Sequence, residues 1–286
     1  MSHFDGHCLL VNEQIFCRFR RPLLAADTLV LAIPGGPGLR GQYLEPFLCK
    51  LAEAVGVNVA LLDLPNHGRS PVNKNILPLS YSKCFKFLDS AIQEINEKCG
   101  GVVLFGQSLG ARLAFDLLVD SKVNFLGAVL TGLPYKFESS ALLEKKLAGL
   151  DLEKFTGGPE DEDVFSRNWR KLLPHYTRAP LPTDVFEQLA SGTKWIGNER
   201  MLEDVPGLDG VATRLKKWPL AAPVIIIQGS DDLVVPDGNT EMLKRMIPAA
   251  EFHEIPGAGH FTMSEKPEAT LFLMKSFLAK VGVPGV

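Results

Sequence analysis

Val102-Val-Leu-Phe105-Gly-Gln-Ser108-Leu-Gly110-Ala-Arg-Leu-Ala-Phe115 is the stretch whose reading decides the fold. Four apolar residues without polar alternation, Val102–Phe105, fit a strand buried on both faces. Helical spacing begins at Leu109 with no intervening loop. The turn between them reads G-x-S-x-G, Gly106 to Gly110. Strand and helix pass so close on such a turn that only small residues fit two positions before and two after the serine. The turn lifts the Ser108 hydroxyl out at the carboxyl end of the sheet. The helix start beneath it offers free N–H groups and partial positive charge to a developing oxyanion.

Moving outward, similar short apolar runs recur at Thr28–Ile33, Val57–Leu62, Phe125–Leu130 and Val224–Gln228. Segments of helical spacing alternate with them: Tyr43–Val55, Tyr81–Lys98, Leu109–Asp120, Gly238–Met246 and Pro267–Lys280. Strand–helix alternation predicts βαβ units and a mainly parallel sheet covered on both faces. Gly6–Val11 and Gln14–Arg20 predict a hairpin around Asn12–Glu13 at one edge. The alternation breaks after Leu133 and resumes at Val224. Between them the chain is helix-like, richer in charge, and interrupted at Gly157–Gly158–Pro159, Pro174 and Pro180–Pro182. The expected organisation is a core of residues 1–132 and 223–286 with a helical cap inserted over 133–222.

A serine hydroxyl is a poor nucleophile at neutral pH. It needs a general base, and the base needs an orienting carboxylate. Of the six histidines, three follow Ser108. His253 falls in the apparent strand Glu251–Ile255, and His175 follows Pro174 in the insertion. His260 lies in the glycine-rich loop Ile255-Pro-Gly-Ala-Gly-His260-Phe, between the last strand and the last helix. That places it at the sheet edge where Ser108 should be. The acid is sought in Gly229-Ser-Asp231-Asp232-Leu-Val-Val-Pro236, where a strand ends in a turn holding two aspartates. The glycine-rich loop Pro34-Gly35-Gly36-Pro37-Gly38 follows the strand Thr28–Ile33 and lets backbone approach a ligand. With a serine on a strand-to-helix turn, such a loop supplies one oxyanion N–H and the residue after the serine the other, which nominates Gly36 and Leu109; Pro37, with no N–H to give, supports Gly36.

Composition narrows the field of functions. The chain has 286 residues, 46% apolar and 22% charged, with a formal net charge of −3. That balance gives no reason to expect nucleic acid or an anionic membrane as partner. Five cysteines, an odd number without a CxxC pair, argue against a disulfide framework or zinc site. The opening MSHFDGHCLL lacks the basic and apolar regions of a signal peptide, and no apolar run is long enough for a bilayer. The expectation is a cytoplasmic enzyme acting on a small molecule without metal or organic cofactor. Nothing in the sequence bears on oligomeric state.

Five motifs occur together: Pro34–Gly38, Asp63-Leu-Pro-Asn-His67-Gly68-Arg-Ser70, the turn at Ser108, Gly229-x-x-Asp232 and Gly259-His260. In order and spacing they resemble the α/β-hydrolase superfamily. The resemblance implies an eight-stranded sheet, a cap after the sixth strand, and a triad of Ser108, Asp232 and His260. Asp232 has the family spacing, with Asp231 as its close competitor. The resemblance also makes His67 part of a structural turn near the site. The stretch GGPG looks like the proline iminopeptidase branch. The chain departs from that branch in Pro34, in GQSLGAR at the elbow, and in having no W-x-x-W-E stretch in the insertion, where Trp169 and Trp195 stand isolated. The acidic run Pro159–Asp163 could meet a substrate amine, although a solvated loop is its simpler reading. Ser108-Leu-Gly-Ala-Arg112 is similar to the menaquinone-pathway hydrolase-like lyases, in which the arginine helps bind an acidic substrate. Arg112 is thus a candidate substrate-binding residue.

The resulting expectation is hydrolysis of a carboxylic ester or amide through an acyl-enzyme on Ser108. An aminopeptidase, a lyase or C–C hydrolase with the same triad, and a non-catalytic binding protein are the alternatives. A dehalogenase or epoxide hydrolase would need aspartate at the position of Ser108.

Overall fold

The computed structural model describes residue 4 and residues 7–154, 161–191, 200–208 and 222–283. Gly157–Gly158–Pro159, Glu160 and Trp195 lie outside the described residues, as does part of the insertion.

Eight strands form one sheet in the order β1-β2-β4-β3-β5-β6-β7-β8. They are β1 His7–Val11, β2 Ile15–Phe19, β3 Thr28–Ile33, β4 Asn58–Leu62, β5 Gly101–Gln107, β6 Gly127–Thr131, β7 Val224–Gly229 and β8 Glu251–Ile255. Pairing is antiparallel for β1 with β2 and for β2 with β4, and parallel from β4 through β8. The predicted hairpin is present. Asn12 and Glu13 both take positive φ, 48° and 57°, the sense that matches the strand twist. Gln14 N–H closes the turn on the Val11 carbonyl at 3.1 Å.

The helices are α1 Glu45–Val55, α2 Tyr81–Asn96, α3 Leu109–Asp120, α4 Ala141–Leu147, α5 Asp161–Tyr176, α6 Thr183–Ala190, α7 Asn239–Met246, α8 Thr262–Glu265 and α9 Pro267–Lys280. Alternate strand residues feed two cores, one on each face. Leu29, Leu31, Ile33, Val102 and Leu104 pack with residues of α2, α3 and α7. Val30, Ala32, Val103 and Phe105 pack with residues of α1 and α9. That period of two explains why the strands read as unbroken apolar runs: both faces are buried. This is the α/β-hydrolase fold that the motifs imply.

Three local readings are corrected. β5 runs to Gln107, because Gly106 and Gln107 stay in register with Leu130 and Thr131. β6 begins at Gly127, not Phe125, since its pairing with β5 starts at Val103↔Gly127. Pro174 does not break α5; it lies in the last turn, where its missing N–H deletes one bond near an end that frays anyway. Between β6 and β7 the described helices are α4, α5 and α6.

Candidate active site

Ser108 joins β5 to α3 with φ 55° and ψ −118°. A non-glycine residue held at positive φ is strained and persists only where its surroundings fix it. Those surroundings are visible. Ser108 N–H bonds the Thr131 carbonyl at 2.9 Å, and the Ser108 carbonyl accepts from Arg112 N–H at 3.0 Å. The flanking glycines are sterically required. A Cβ on Gly106 would stand 2.5 Å from Ala111 Cα, and one on Gly110 would stand 2.1 Å from the Ile33 carbonyl oxygen.

His260 follows β8 and is buried, 3% exposed. Its Nδ1 is 2.8 Å from Asp232 Oδ2. The loop after β7 fixes that carboxylate: its Oδ1 accepts from Val234 N–H at 2.9 Å, and Asp232 N–H bonds the Gly229 carbonyl at 3.2 Å. Asp231 points elsewhere, half exposed, 3.6 Å from the Arg178 guanidinium. Asp232 is therefore the carboxylate on His260. The other two downstream histidines lie apart from this pair. His253 Nε2 pairs with Glu251 on β8 at 2.7 Å, and His175 sits in the last turn of α5.

The glycine loop after β3 lies against the same turn. Gly35 N–H is taken by the Tyr43 hydroxyl at 2.8 Å, and that hydroxyl donates to Gln107 Oε1 at 2.7 Å. Gln107 Nε2 reaches the His260 carbonyl at 3.4 Å. Tyr43 and Gln107 thus tie three loops of the site together; Gln107 stands in the serine motif as a variable position, and no motif marked Tyr43. Gly36 lines the cavity, and Leu109 opens α3, where N–H groups lack helical partners. His67 is wholly buried, its Nδ1 2.8 Å from the Pro65 carbonyl. A Cβ on Gly36 would lie 3.7 Å from its Nε2, so His67 backs the glycine loop, in keeping with a structural turn.

Ser108 and His260 open into a cavity of about 300 Å³. Phe165, Trp169, Leu172 and Tyr176 supply one wall, spaced along a single face of α5. Their rings continue to the histidine: Phe165 stacks on Trp169, Trp169 meets Tyr176 edge-on at 4.9 Å, and Tyr176 meets His260 edge-on at 6.1 Å. Burial, with the Asp232 charge adding to it, pushes the Tyr176 phenol up to about 12. It stays protonated across the working range. Lys136 and Glu138 also line the cavity and pair with each other.

Arg112 is not a member of that wall. Its side chain is 1% exposed, with Nε 3.2 Å from both carboxylate oxygens of Asp116, and its other arm donates to the Pro206 carbonyl. Tyr81 hydroxyl adds a 2.6 Å bond to Asp116. Arg112, the candidate substrate-binding residue, is thus held at Nε and one arm by protein groups and is absent from the described cavity lining. Of the acidic run, Asp161, Glu162 and Asp163 form the first turn of α5 and are absent from the cavity lining. Among the described residues, no helix is long and apolar enough to cross a membrane.

The sequence matches the model of the family described as "Alpha/beta hydrolase family" over residues 29–271. A relative from Mycobacterium tuberculosis, provisionally named non-heme bromoperoxidase BpoC, is 29% identical over 62% of this chain and 67% of its own. The sn-1-specific diacylglycerol lipase ABHD11 of Danio rerio is 25% identical over 76% of this chain and 68% of its own. Among solved structures, an esterase from Exiguobacterium antarcticum superposes with a TM-score of 0.70 at 16% identity, covering 96% of this chain and 99% of that one. At that identity the likeness speaks to the fold alone.

Proposed function

The chain belongs to the alpha/beta hydrolase family, and on that premise we propose that it cleaves a carboxylic ester or amide of a small, largely apolar molecule through an acyl-enzyme on Ser108. One observation carries the reading. A serine in a strained strand-to-helix turn shares a cavity with a buried histidine whose far nitrogen is bonded to a buried aspartate.

With Nδ1 engaged by Asp232, the ring presents Nε2 as the basic nitrogen. His260 takes the Ser108 proton as the hydroxyl attacks the carbonyl carbon. Gly36 and Leu109 N–H groups receive the charge that develops on the carbonyl oxygen. The imidazolium, stabilised by Asp232, returns the proton to the departing alcohol or amine. Water, activated by the same ring, then releases the acid. Residues 133–222 act as the cap over this site, with α5 setting the shape of what enters. The aromatic face of α5 favours flat or aliphatic groups. Among the described residues that line the cavity, the one Lys or Arg, Lys136, is paired with Glu138, and Arg112 is committed to Asp116. The site therefore suits a neutral substrate better than the acidic one the lyase reading requires. A diacylglycerol lipase among the sequence relatives agrees with ester chemistry.

A fluorophosphonate probe is the test. Wild-type protein should label, Ser108→Ala should not, and turnover of p-nitrophenyl acetate should fall at least about a thousandfold in the variant. Equal labelling of both would remove Ser108 from the mechanism. Turnover of proline p-nitroanilide in preference to the ester would move the reading to an aminopeptidase.

A further inference from the structure

Glu265, at the end of α8, is buried and collects four backbone N–H groups on one carboxylate. Oε2 accepts from Arg178, Ala179 and Gly259 at 2.6, 3.0 and 3.0 Å, and Oε1 accepts from Phe261 at 3.1 Å. Two of these donors flank His260. The other two belong to the chain that leaves α5. The same two segments meet twice more. His260 N–H itself bonds the Tyr176 carbonyl at 2.9 Å. A Cβ on Gly259 would stand 2.7 Å from that carbonyl oxygen and 2.9 Å from Arg178 N, so the backbones touch closely enough to demand glycine.

An anionic carboxylate that accepts several N–H bonds holds its donors more tightly than neutral acceptors do. Removing it strands four donors in a water-poor pocket. We propose that Glu265 is a positioning residue that makes the His260 loop and the end of α5 one mechanical unit. A shift of the cavity wall then moves the general base with it. Phe165, Trp169, Leu172 and Tyr176 are the face that feels the substrate, and Tyr176 is the residue whose carbonyl holds His260. Substrate seated against α5 thereby sets the ring relative to Ser108. The inference rests on the proposed role of His260 as base.

The discriminating variant is Glu265→Gln, which keeps the shape and exchanges one accepting oxygen for an N–H₂ donor. The readouts are the fluorophosphonate inactivation rate and kcat for p-nitrophenyl acetate, each per folded molecule. Both should fall roughly 10- to 100-fold, the scale of a small misplacement of the reacting groups, while KM changes little. A purely structural role predicts a lower unfolding midpoint with unchanged rates per folded molecule, and that result overturns the proposal. Amide exchange on the wild-type protein decides the matter even if the variant does not fold. Arg178, Ala179, Gly259 and Phe261 should share one opening free energy; unrelated opening free energies overturn the proposal. A wild-type protein that neither labels nor turns over ester removes the base itself, and the inference falls with the function. Labelling of wild type, none of His260→Ala, and wild-type rates for Glu265→Gln would strike the inference alone.

Discussion

The carboxyl edge of the sheet and the segment between β6 and β7 are built on opposite plans. At the sheet edge, backbone touches backbone. Gly110 lies against the carbonyls of Ile33 and Pro34, and Gly229 against those of Ala258 and Gly259. Its charges are buried and matched, as in Asp232 with His260. In the insertion the ion pairs Arg167–Glu153 and Arg170–Glu187 are half exposed, and among the described residues a Cβ on Gly149 would find only one neighbour, at 3.9 Å. The first plan leaves no room even for a methyl group, the closeness that the proposed proton transfer calls for. The second is tied to the first at the end of α5, through Tyr176 and Glu265, and elsewhere stands on exposed pairs.

Three measurements bear on that contrast. Gly110→Ala against Gly149→Ala should give the largest difference. The first drives a methyl into two backbone carbonyls, which have nowhere to retreat, and should cost about 3 kcal/mol or more in urea unfolding, with loss of fluorophosphonate labelling. The second should leave both unchanged. A small cost at Gly110 would mean the elbow can relax, and the plans would not differ in kind.

Arg112→Ala should come next. It abandons Asp116, whose carboxyl burial already raises while Arg112 holds it down. Breaking a buried pair costs about 3–5 kcal/mol. Arg167→Ala, in an exposed pair, should leave the unfolding midpoint within error of wild type. Equal effects would place Arg112 nearer water than its surroundings indicate.

The smallest effect should come from acid. Asp204 lies in the described return of the insertion. It accepts from Tyr81 N–H at 2.6 Å and Ser82 N–H at 3.2 Å, and from the Ser82 hydroxyl at 2.7 Å. Burial raises its pKa, but these bonds prevail and set it below the ordinary carboxylate value. The linkage follows from that sign. The stabilisation is complete above the unfolded value and is lost as pH falls through the folded one. Protection of the Tyr81 and Ser82 amides should therefore decline below about pH 4, while the Ser108 amide, bonded to Thr131, keeps its protection. Simultaneous loss would mean the insertion and core open as one unit.

What could be read in the sequence divides along the same line. The β5–α3 turn was legible because its constraints are local: Gly106, Ser108 and Gly110 answer to atoms a few residues away or in one adjoining strand. The choice between Asp231 and Asp232 needed the loop's path, since both lie in the same turn and differ only in which way they face. For Arg112, one helical turn from Ser108 describes distance along α3 and not the face, and the face turns it to Asp116. Tyr43 and Glu265 left no signature, and Gln107 stands in the serine motif only as a variable position, because what they do depends on groups that folding brings near: Gln107 on Tyr43 and the His260 carbonyl, Glu265 on the Arg178 and Ala179 amides. The only hint available for Glu265 is a carboxylate placed between His260 and Pro267. In the insertion the aromatic spacing of α5 was open to reading, but the chamber it faces is set by tertiary placement.

β6 and β7 are neighbours in the sheet, with Ala128 opposite Val224. The two strands are parallel, so the insertion leaves at the carboxyl end of β6 and re-enters at the amino end of β7, about one strand length away along the sheet. Closing that gap costs entropy that grows only with the logarithm of the intervening length, about 0.6 kcal/mol per doubling. The sheet is accordingly almost indifferent to how much chain is looped out between its two anchor strands. A lineage could lengthen, shorten or replace that excursion at small thermodynamic expense, provided the replacement again offers a carbonyl to His260 and two amides to Glu265.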